Sequence, residues 1–305
     1  MINIYKISVV IVTWNNSDVI GNCLDSFMKY TDKDSIELII VDNNSQDSTC
    51  KIVESYQKKL CIKLIQSPDN LGFAKANNLG VLQASYENIL LLNPDTVLME
   101  FGLEELPKKL ENEKVGILGS KLLNADYTLQ PSMYKFDNVI NILIEQFQIG
   151  RVLPESFKKK YSPYLSKHDI FQNTDWVIGA FMLLQKSDFT SINGFSEDYF
   201  MYSEDMDLCY KMKEKGKKIV YDPTYSIIHI GGTAEVQDFN SSKQEKMFLS
   251  RNTFAKKYDY RLNIPTFLLC YRIKFFISYM IGNRNKIDYY KNTIENLKKI
   301  RGVRK

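Results

Sequence analysis

Four short runs of nearly continuous apolar character punctuate the first hundred residues: ISVVIVT (7–13), IELIIV (36–41), IKLIQ (62–66) and NILLL (88–92). They are rich in β-branched residues or leucine and lack a polar face, the pattern of strands buried on both sides in a parallel sheet. Between the first two, Val19, Ile20, Cys23, Leu24, Phe27 and Met28 recur at helical spacing behind a Ser17/Asp18 start signal, which predicts a helix over 17–30. A second helix is expected over 47–60, capped by Asp47 or Ser48. Strand, helix and strand repeated in this way imply right-handed crossovers and an α/β, Rossmann-like, mostly parallel central sheet flanked by helices. In such a sheet ligands bind beyond the carboxyl ends of the strands.

Those ends are polar in a consistent way: Thr13-Trp14-Asn15-Asn16, Asp42-Asn43-Asn44-Ser45 and Asn93-Pro94-Asp95. The glycine fingerprint of dinucleotide binding is missing after the first strand, which argues against a nicotinamide dehydrogenase. Farther on, an aromatic, loop-like segment (Phe195, Tyr199, Phe200, Tyr202) leads to Glu204-Asp205 at the mouth of a helix. That helix carries apolar Leu208, Cys209 and Met212 and stops at Gly216. Taken alone, the pair reads as acids complementing a helix dipole behind a Ser203 cap. A carboxylate fixed at such a loop-to-helix junction is also where a catalytic base could sit.

The chain has 305 residues, 44% of them hydrophobic, enough for one large core with a smaller appendage. No secretory leader is legible ahead of the first strand. The cysteines at 23, 50, 61, 209 and 270 show no CxxC pairing, so buried thiols in a reducing compartment are expected. The net charge of +4 is unevenly placed: residues 261–305 hold a large excess of Lys and Arg over Asp and Glu. Two apolar stretches in that segment, 264–271 and 275–282, are each too short to span a bilayer. The segment therefore suits either a helix lying on an anionic membrane surface or a packed helix pair with a solvated basic face. No nucleic-acid-binding module accompanies the charge.

Six motifs in order, VVIVTWNN, IIVDNNSQDST, NLGFAKANNLG, LLLNPDTVL, WVIGAFMLL and GFSEDYFMYSEDMDLCYKMKEKG, resemble the family 2 glycosyltransferases of the GT-A fold, in particular the rhamnosyltransferase-like branch that builds bacterial surface polysaccharides. The resemblance covers roughly residues 5–256. It implies a GT-A domain over 1–260 followed by a basic, partly apolar helical extension over 261–305. It also implies a nucleotide-diphospho-sugar donor, Mn2+ or Mg2+, transfer with inversion, and a growing, lipid-linked oligosaccharide as acceptor at the cytoplasmic face of the membrane. A dTDP-sugar such as dTDP-rhamnose fits the branch, and UDP-hexoses fit the fold.

Residue by residue, the resemblance assigns Asp42, Thr13 and Asn15 to the nucleoside pocket, although Asp42-Asn43-Asn44-Ser45 also reads as a self-bonded turn. Gly72 matches a loop of close approach, and Lys75 a group that reaches phosphate or base, or else a solvated lysine. Asn93-Pro94-Asp95 stands where the family carries its DxD metal motif. Asn93 replaces the first acid, leaving Asp95 and the downstream His229 of an HxGG pattern as metal ligands, with diphosphate oxygens completing the shell. Trp176, Gly179 and Ala180 match the segment beside the transferred sugar, or a core strand. Arg251 matches a basic position near the diphosphate, or a surface arginine. Asp205 is implied as the base and Glu204 as an orienting, sugar-binding neighbour. The rivals are a catalytically silent nucleotide-sugar-binding paralogue and a carboxylate-pair glycoside hydrolase, which needs acids facing across a substrate rather than adjacent.

Overall fold

The computed structural model describes residues 5–112, 114–231 and 241–302. In chain order the first elements are β1 (Ile7–Thr13), α1 (Ile20–Tyr30), β2 (Ile36–Asp42), α2 (Thr49–Tyr56), β3 (Ile62–Gln66), α3 (Gly72–Leu82), β4 (Asn88–Leu92) and β5 (Thr96–Leu98). There follow β6 (Val115–Leu123), β7 (Leu129–Gln130), β8 (Met133–Tyr134), α4 (Val139–Gln146), α5 (Glu155–Tyr161), β9 (Gln172–Thr174), β10 (Trp176–Val177) and β11 (Phe181–Gln185). The chain continues with α6 (Lys186–Ser191), α7 (Glu204–Glu214), β12 (Lys218–His229), α8 (Ser241–Lys257), α9 (Asn263–Ile281) and α10 (Arg284–Gly302).

The residues form two compact units, one of 1–134, 168–200 and 204–235, the other of 135–167, 201–203 and 236–305. The first is built on a sheet of order β3-β2-β1-β4-β11-β6-β12-β5. Strands β1 to β4 are parallel, with Thr13 opposite Asp42 on β2. Strand β11 runs antiparallel between β4 and β6, and β12 is parallel to β6. All seven residues of β1 are buried. Alternate side chains enter opposite cores: Ile7, Val9 and Ile11 join Ile20, Cys23, Leu24 and Phe27 of α1, while Val10 packs with Ala74 and Ala76 of α3 and with Leu208 and Met212 of α7. Each such aliphatic side chain contributes about 1.5–3 kcal/mol by leaving water, and two-sided burial is why β1, β2 and β4 carry no polar alternation; β3, read in the sequence as buried on both sides, is instead the partly exposed edge of the sheet.

The expected strands form within a residue of their predicted ends. The helices start later than the sequence signals suggest: α1 begins at Ile20, with no side-chain cap. For α2, Ser48 makes no side-chain cap, and it is Asp47 that accepts from the backbone N–H and hydroxyl of Thr49, at 3.0 and 2.6 Å, and from the N–H of Ser17 at 3.0 Å. Desolvation pushes its carboxyl pKa upward, but these bonds together outweigh that effect and lower it to about 2.

The second unit is helical, with a core of Ile142 from α4, Phe248 from α8, Phe267, Leu268 and Cys270 from α9, and Leu297 and Ile300 from α10. The two apolar stretches read separately in the sequence join in the single helix α9. By length and composition that helix suffices to cross a membrane, which corrects the length argument made from the stretches one at a time.

Candidate active site

The rim at the carboxyl ends of β1 and β2 forms where Thr13 and Asp42 stand side by side in register. The Thr13 hydroxyl donates to Asp42 Oδ1 at 2.9 Å, and Ser45 donates to the same carboxylate through its hydroxyl (2.6 Å) and its N–H (2.9 Å). The turn reading of this segment is thus realised in full, and it fixes a buried carboxylate at a strand end. Asn15 has left-handed backbone (φ +53°), and its Oδ1 accepts from Gln46 N–H at 2.7 Å, which ties the two loops together.

Gly72 opens α3 at φ +77°. A Cβ there would lie 2.7 Å from the carbonyl oxygen of Phe200, so the close approach that requires glycine is to the aromatic loop. Lys75 is half exposed and lies 3.7 Å from Glu197, a surface pair of small energetic weight.

A cleft of about 570 Å³ is lined by Asn15, Asn16, Asp18, Asn93, Asp95, Gln130, Tyr134, Ile178, His229 and Gly231, among others. Sheet register builds it. The turn Asn93-Pro94-Asp95 sends the chain from β4 into β5, which pairs antiparallel with β12 so that His229 faces Thr96. Ile230 N–H closes the pair by donating to the carbonyl of Asp95 at 2.9 Å. The result sets His229 Nε2 3.3 Å from Asp95 Oδ1 and 3.1 Å from Asn93 Nδ2. A carboxylate oxygen and an imidazole nitrogen converging in an open cleft fit a divalent cation that takes its remaining ligands from phosphate or water. Among the described residues no three or more His, Cys, Asp or Glu side chains are placed to hold a metal ion together, so a cation here would have Asp95 and His229 as its side-chain ligands and take the rest from elsewhere. Gly232, the last residue of the HxGG pattern, lies outside the described residues.

Trp176 stacks on Tyr134, with ring centroids 4.7 Å apart. Ala180 is buried and its carbonyl accepts from Asn93 N–H at 3.2 Å, linking the sugar-segment strand to the metal turn. Gly179 N–H donates to Asp205 Oδ2 at 3.1 Å, and Met206 N–H to Oδ1 at 2.8 Å. The Asp205 carboxylate thus lies against the residue that follows Ile178 of the cleft wall. Burial raises its pKa despite these two donors. A helix N-terminus acting alone would keep Asp205 a weak base, but desolvation outweighs the dipole and makes it a stronger one.

Glu204 is buried, and its Oε2 has no hydrogen-bond partner among the described residues. Desolvation and the neighbouring Asp205 both push its pKa upward. Tyr202 and Ser203, just before the pair, have left-handed backbone (φ +71° and +65°), unlike the extended geometry expected of a capping serine. Left-handed conformations at non-glycine residues cost on the order of 1–3 kcal/mol each and cluster at functional sites. Asp207, which sequence reasoning passed over, is fully buried and accepts from the hydroxyls of Ser196 (2.6 Å) and Tyr199 (3.1 Å), pinning the aromatic loop to α7.

Arg251 belongs to the helical unit, where its guanidinium lies 3.6 Å from Asp137 and over the ring of Phe267. Pairing and packing there account for it. Of the cleft residues, Asn16 was not singled out although it closes the VVIVTWNN motif, and Gln130 and Tyr134 were missed because neither falls in a recognisable motif and strand pairing brings them to the site.

A doubly wound sheet with a nucleotide-type rim and a carboxylate turn opposite an antiparallel extension is the architecture of a GT-A glycosyltransferase. The chain belongs to glycosyl transferase family 2, whose model matches residues 8–210. It is 29% identical over 232 residues to rhamnosyltransferase WbbL of Escherichia coli, a match covering 72% of this chain and 82% of that protein. It is 23% identical over 240 residues to the N-acetylglucosaminyl-diphospho-decaprenol L-rhamnosyltransferase of Mycobacterium tuberculosis, covering 72% and 75% of the two. In three dimensions it resembles the mannosyltransferase PcManGT of Pyrobaculum calidifontis, solved with GDP-Man and Mn2+, with a TM-score of 0.59, 14% identity, and 97% and 84% of the chains covered.

Proposed function

We propose that this glycosyltransferase moves a sugar, with inversion, from a nucleotide-diphosphate donor to a hydroxyl of a growing, lipid-linked surface oligosaccharide, and that it depends on Mn2+ or Mg2+. The observation that carries the reading is the convergence of Asp95 and His229, 3.3 Å apart in a cleft wide enough for a nucleotide sugar. The two rhamnosyltransferase relatives support a deoxyhexose donor such as dTDP-rhamnose over a UDP-hexose, and the lipid diphosphate in the name of one supports the acceptor class.

In this reading Asp42 and Thr13 receive the nucleoside, with Asn15 beside them. Asp205 accepts the proton of the acceptor hydroxyl as its oxygen bonds to the anomeric carbon and the bond from that carbon to the diphosphate breaks. Glu204 orients the sugar, and the Trp176–Tyr134 stack lies beside it. Asp95 and His229 would hold a divalent ion, which would supply positive charge to the departing diphosphate.

The exposed end of α9 supports peripheral membrane association. Leu269, Phe276, Tyr279, Met280 and Ile281 are each more than half exposed, and Arg272, Arg284 and Lys286 flank them. Apolar insertion beside basic headgroup contacts suits an anionic bilayer surface.

A screen of dTDP-, UDP- and GDP-sugars for metal-dependent thermal stabilisation tests the donor, because a ligand that binds only the native state raises its stability. Release of nucleoside diphosphate with an acceptor then tests turnover. Binding without turnover against any lipid-linked acceptor would leave the silent-paralogue reading in its place.

A further inference from the structure

We propose that Gln130 is a positioning residue that fixes the tautomer of His229, at the end of a one-way relay of hydrogen bonds that begins on the β6–β7 turn and leaves Nε2, on the side of Asn93 and Asp95, without a proton. This rests on the metal reading of the cleft. The relay runs through Asp126, Thr128, Asn124, Gln130, His229 and Asn93, and each link dictates the next.

Asp126 is a carboxylate, so it can only accept. The Thr128 hydroxyl lies 2.5 Å from Asp126 Oδ1 and therefore donates to it. These contacts with Thr128 hold the Asp126 carboxyl below its usual range, which keeps it an acceptor. With its proton committed, the Thr128 oxygen accepts from Asn124 Nδ2 at 2.9 Å. The amide of Asn124 is thereby oriented, and its Oδ1 accepts from Gln130 Nε2 at 3.0 Å. Gln130 Nε2 also donates to the His229 carbonyl at 3.3 Å, a second reason for the same orientation. Gln130 Oε1 is then left facing His229 Nδ1 at 2.6 Å, so Nδ1 must carry the proton. The lone pair falls on Nε2, which accepts from Asn93 Nδ2 at 3.1 Å.

The same relay accounts for Asn93 where the family carries an acid. The amide of Asn93 donates to Nε2, whereas a carboxylate at that position would add a second acceptor to the one that Asp95 already places 3.3 Å away. Gly231 completes the arrangement: a Cβ there would come within 2.4 Å of the imidazole, so any side chain would turn the ring away from this geometry. An outer partner of this kind typically changes metal affinity about 10–100-fold.

The test uses the whole chain and two readouts that do not depend on turnover. One is the tautomer of His229 from 15N chemical shifts of the imidazole, with His168 as the internal comparison. The other is Mn2+ affinity by electron paramagnetic resonance. The wild type is expected to show Nδ1–H and a bare Nε2. Gln130→Leu is expected to lose that preference and to bind Mn2+ at least about tenfold more weakly. Gln130→Glu keeps an acceptor for Nδ1–H while losing the donor to Asn124 and the His229 carbonyl, so it is expected to hold the Nδ1–H tautomer that Gln130→Leu loses, which an effect of packing alone would not do. Nε2–H in the wild type, or unchanged tautomer and Mn2+ affinity in Gln130→Leu, overturns the proposal. A wild type with the expected tautomer that binds no Mn2+ overturns the metal reading instead and leaves the tautomer control standing.

Discussion

Replacing Asp205 by Asn changes one oxygen for an amide nitrogen at nearly constant volume, so the consequences can be worked from its contacts. In the wild type each carboxylate oxygen accepts one backbone N–H, Gly179 on Oδ2 and Met206 on Oδ1. Asparagine has a single acceptor oxygen, so one of these donors loses its partner, at about 1–3 kcal/mol. In the opposite direction, the substitution removes a carboxylate whose charged form burial disfavours. The two effects partly cancel, and Asp205→Asn is expected to stay folded, with a melting temperature within a few degrees of wild type at roughly 2–4 °C per kcal/mol. The catalytic consequence is far larger. A positioned general base contributes typically about 10²–10⁴-fold, or about 3–5 kcal/mol of barrier at roughly 1.36 kcal/mol per tenfold. Release of nucleoside diphosphate, measured against donor binding, should show kcat falling by that factor with donor affinity unchanged. The pH profile gives a second reading. The base acts deprotonated, so kcat/KM rises as pH climbs through the Asp205 pKa, and burial places that rise above the ordinary aspartate value of about 3.9. A folded Asp205→Asn protein that turns over at the wild-type rate would falsify the assignment. An acid limb at the ordinary aspartate value would refute the burial argument.

Three further outcomes are expected. Asp95→Ala removes one of the two proposed protein ligands from the cleft and should abolish metal-dependent stabilisation by the donor while leaving the ligand-free melting temperature within a few degrees; unchanged stabilisation by Mn2+ and donor together would count against the site. For Glu204 the folded pKa is raised, so the native state holds its proton more tightly than the unfolded chain does. The stability it contributes is full below the unfolded value and is lost as pH rises through the folded one, a tenfold difference in proton affinity being worth about 1.4 kcal/mol. Glu204→Gln should therefore melt higher than wild type at alkaline pH and show a smaller Tm drop between about pH 5 and pH 9; parallel melting curves for the two proteins would contradict this. Finally, Phe276→Asp with Met280→Asp, both at exposed positions of α9, should weaken sedimentation with anionic phosphatidylglycerol vesicles at least about tenfold with little change in Tm, and equal binding of the double variant would remove this face from membrane contact.

What was legible in the sequence and what was not divides along the sheet. The parallel half declared itself because β1, β2 and β4 are buried on both faces and so read as unbroken apolar runs, and their polar ends marked the rim that holds Thr13 and Asp42. The antiparallel half is written in short, irregular pieces. Strands β5, β7 and β10 have two or three residues each, and β12 breaks register between Asp222 and Ser226, so periodicity had nothing to act on. Yet it is pairing in this half that carries residues 95, 130 and 229 to one place. Motif matching found Asp95 and His229 because family spacing stands in for register. It missed Gln130, whose only signal is the hydrogen bond it makes, and Asp207, whose neighbours Ser196 and Tyr199 lie in a loop without regular spacing. The strength of Asp205 as a base is hidden from the sequence for the same reason. The helix dipole can be read from the sequence because it is local, whereas desolvation depends on what the rest of the chain lays over the carboxylate, and in this site desolvation is the larger effect. Local chemistry therefore pointed to the carboxylate proposed as the base, and the non-local packing of the sheet and α7 sets how strongly it can act.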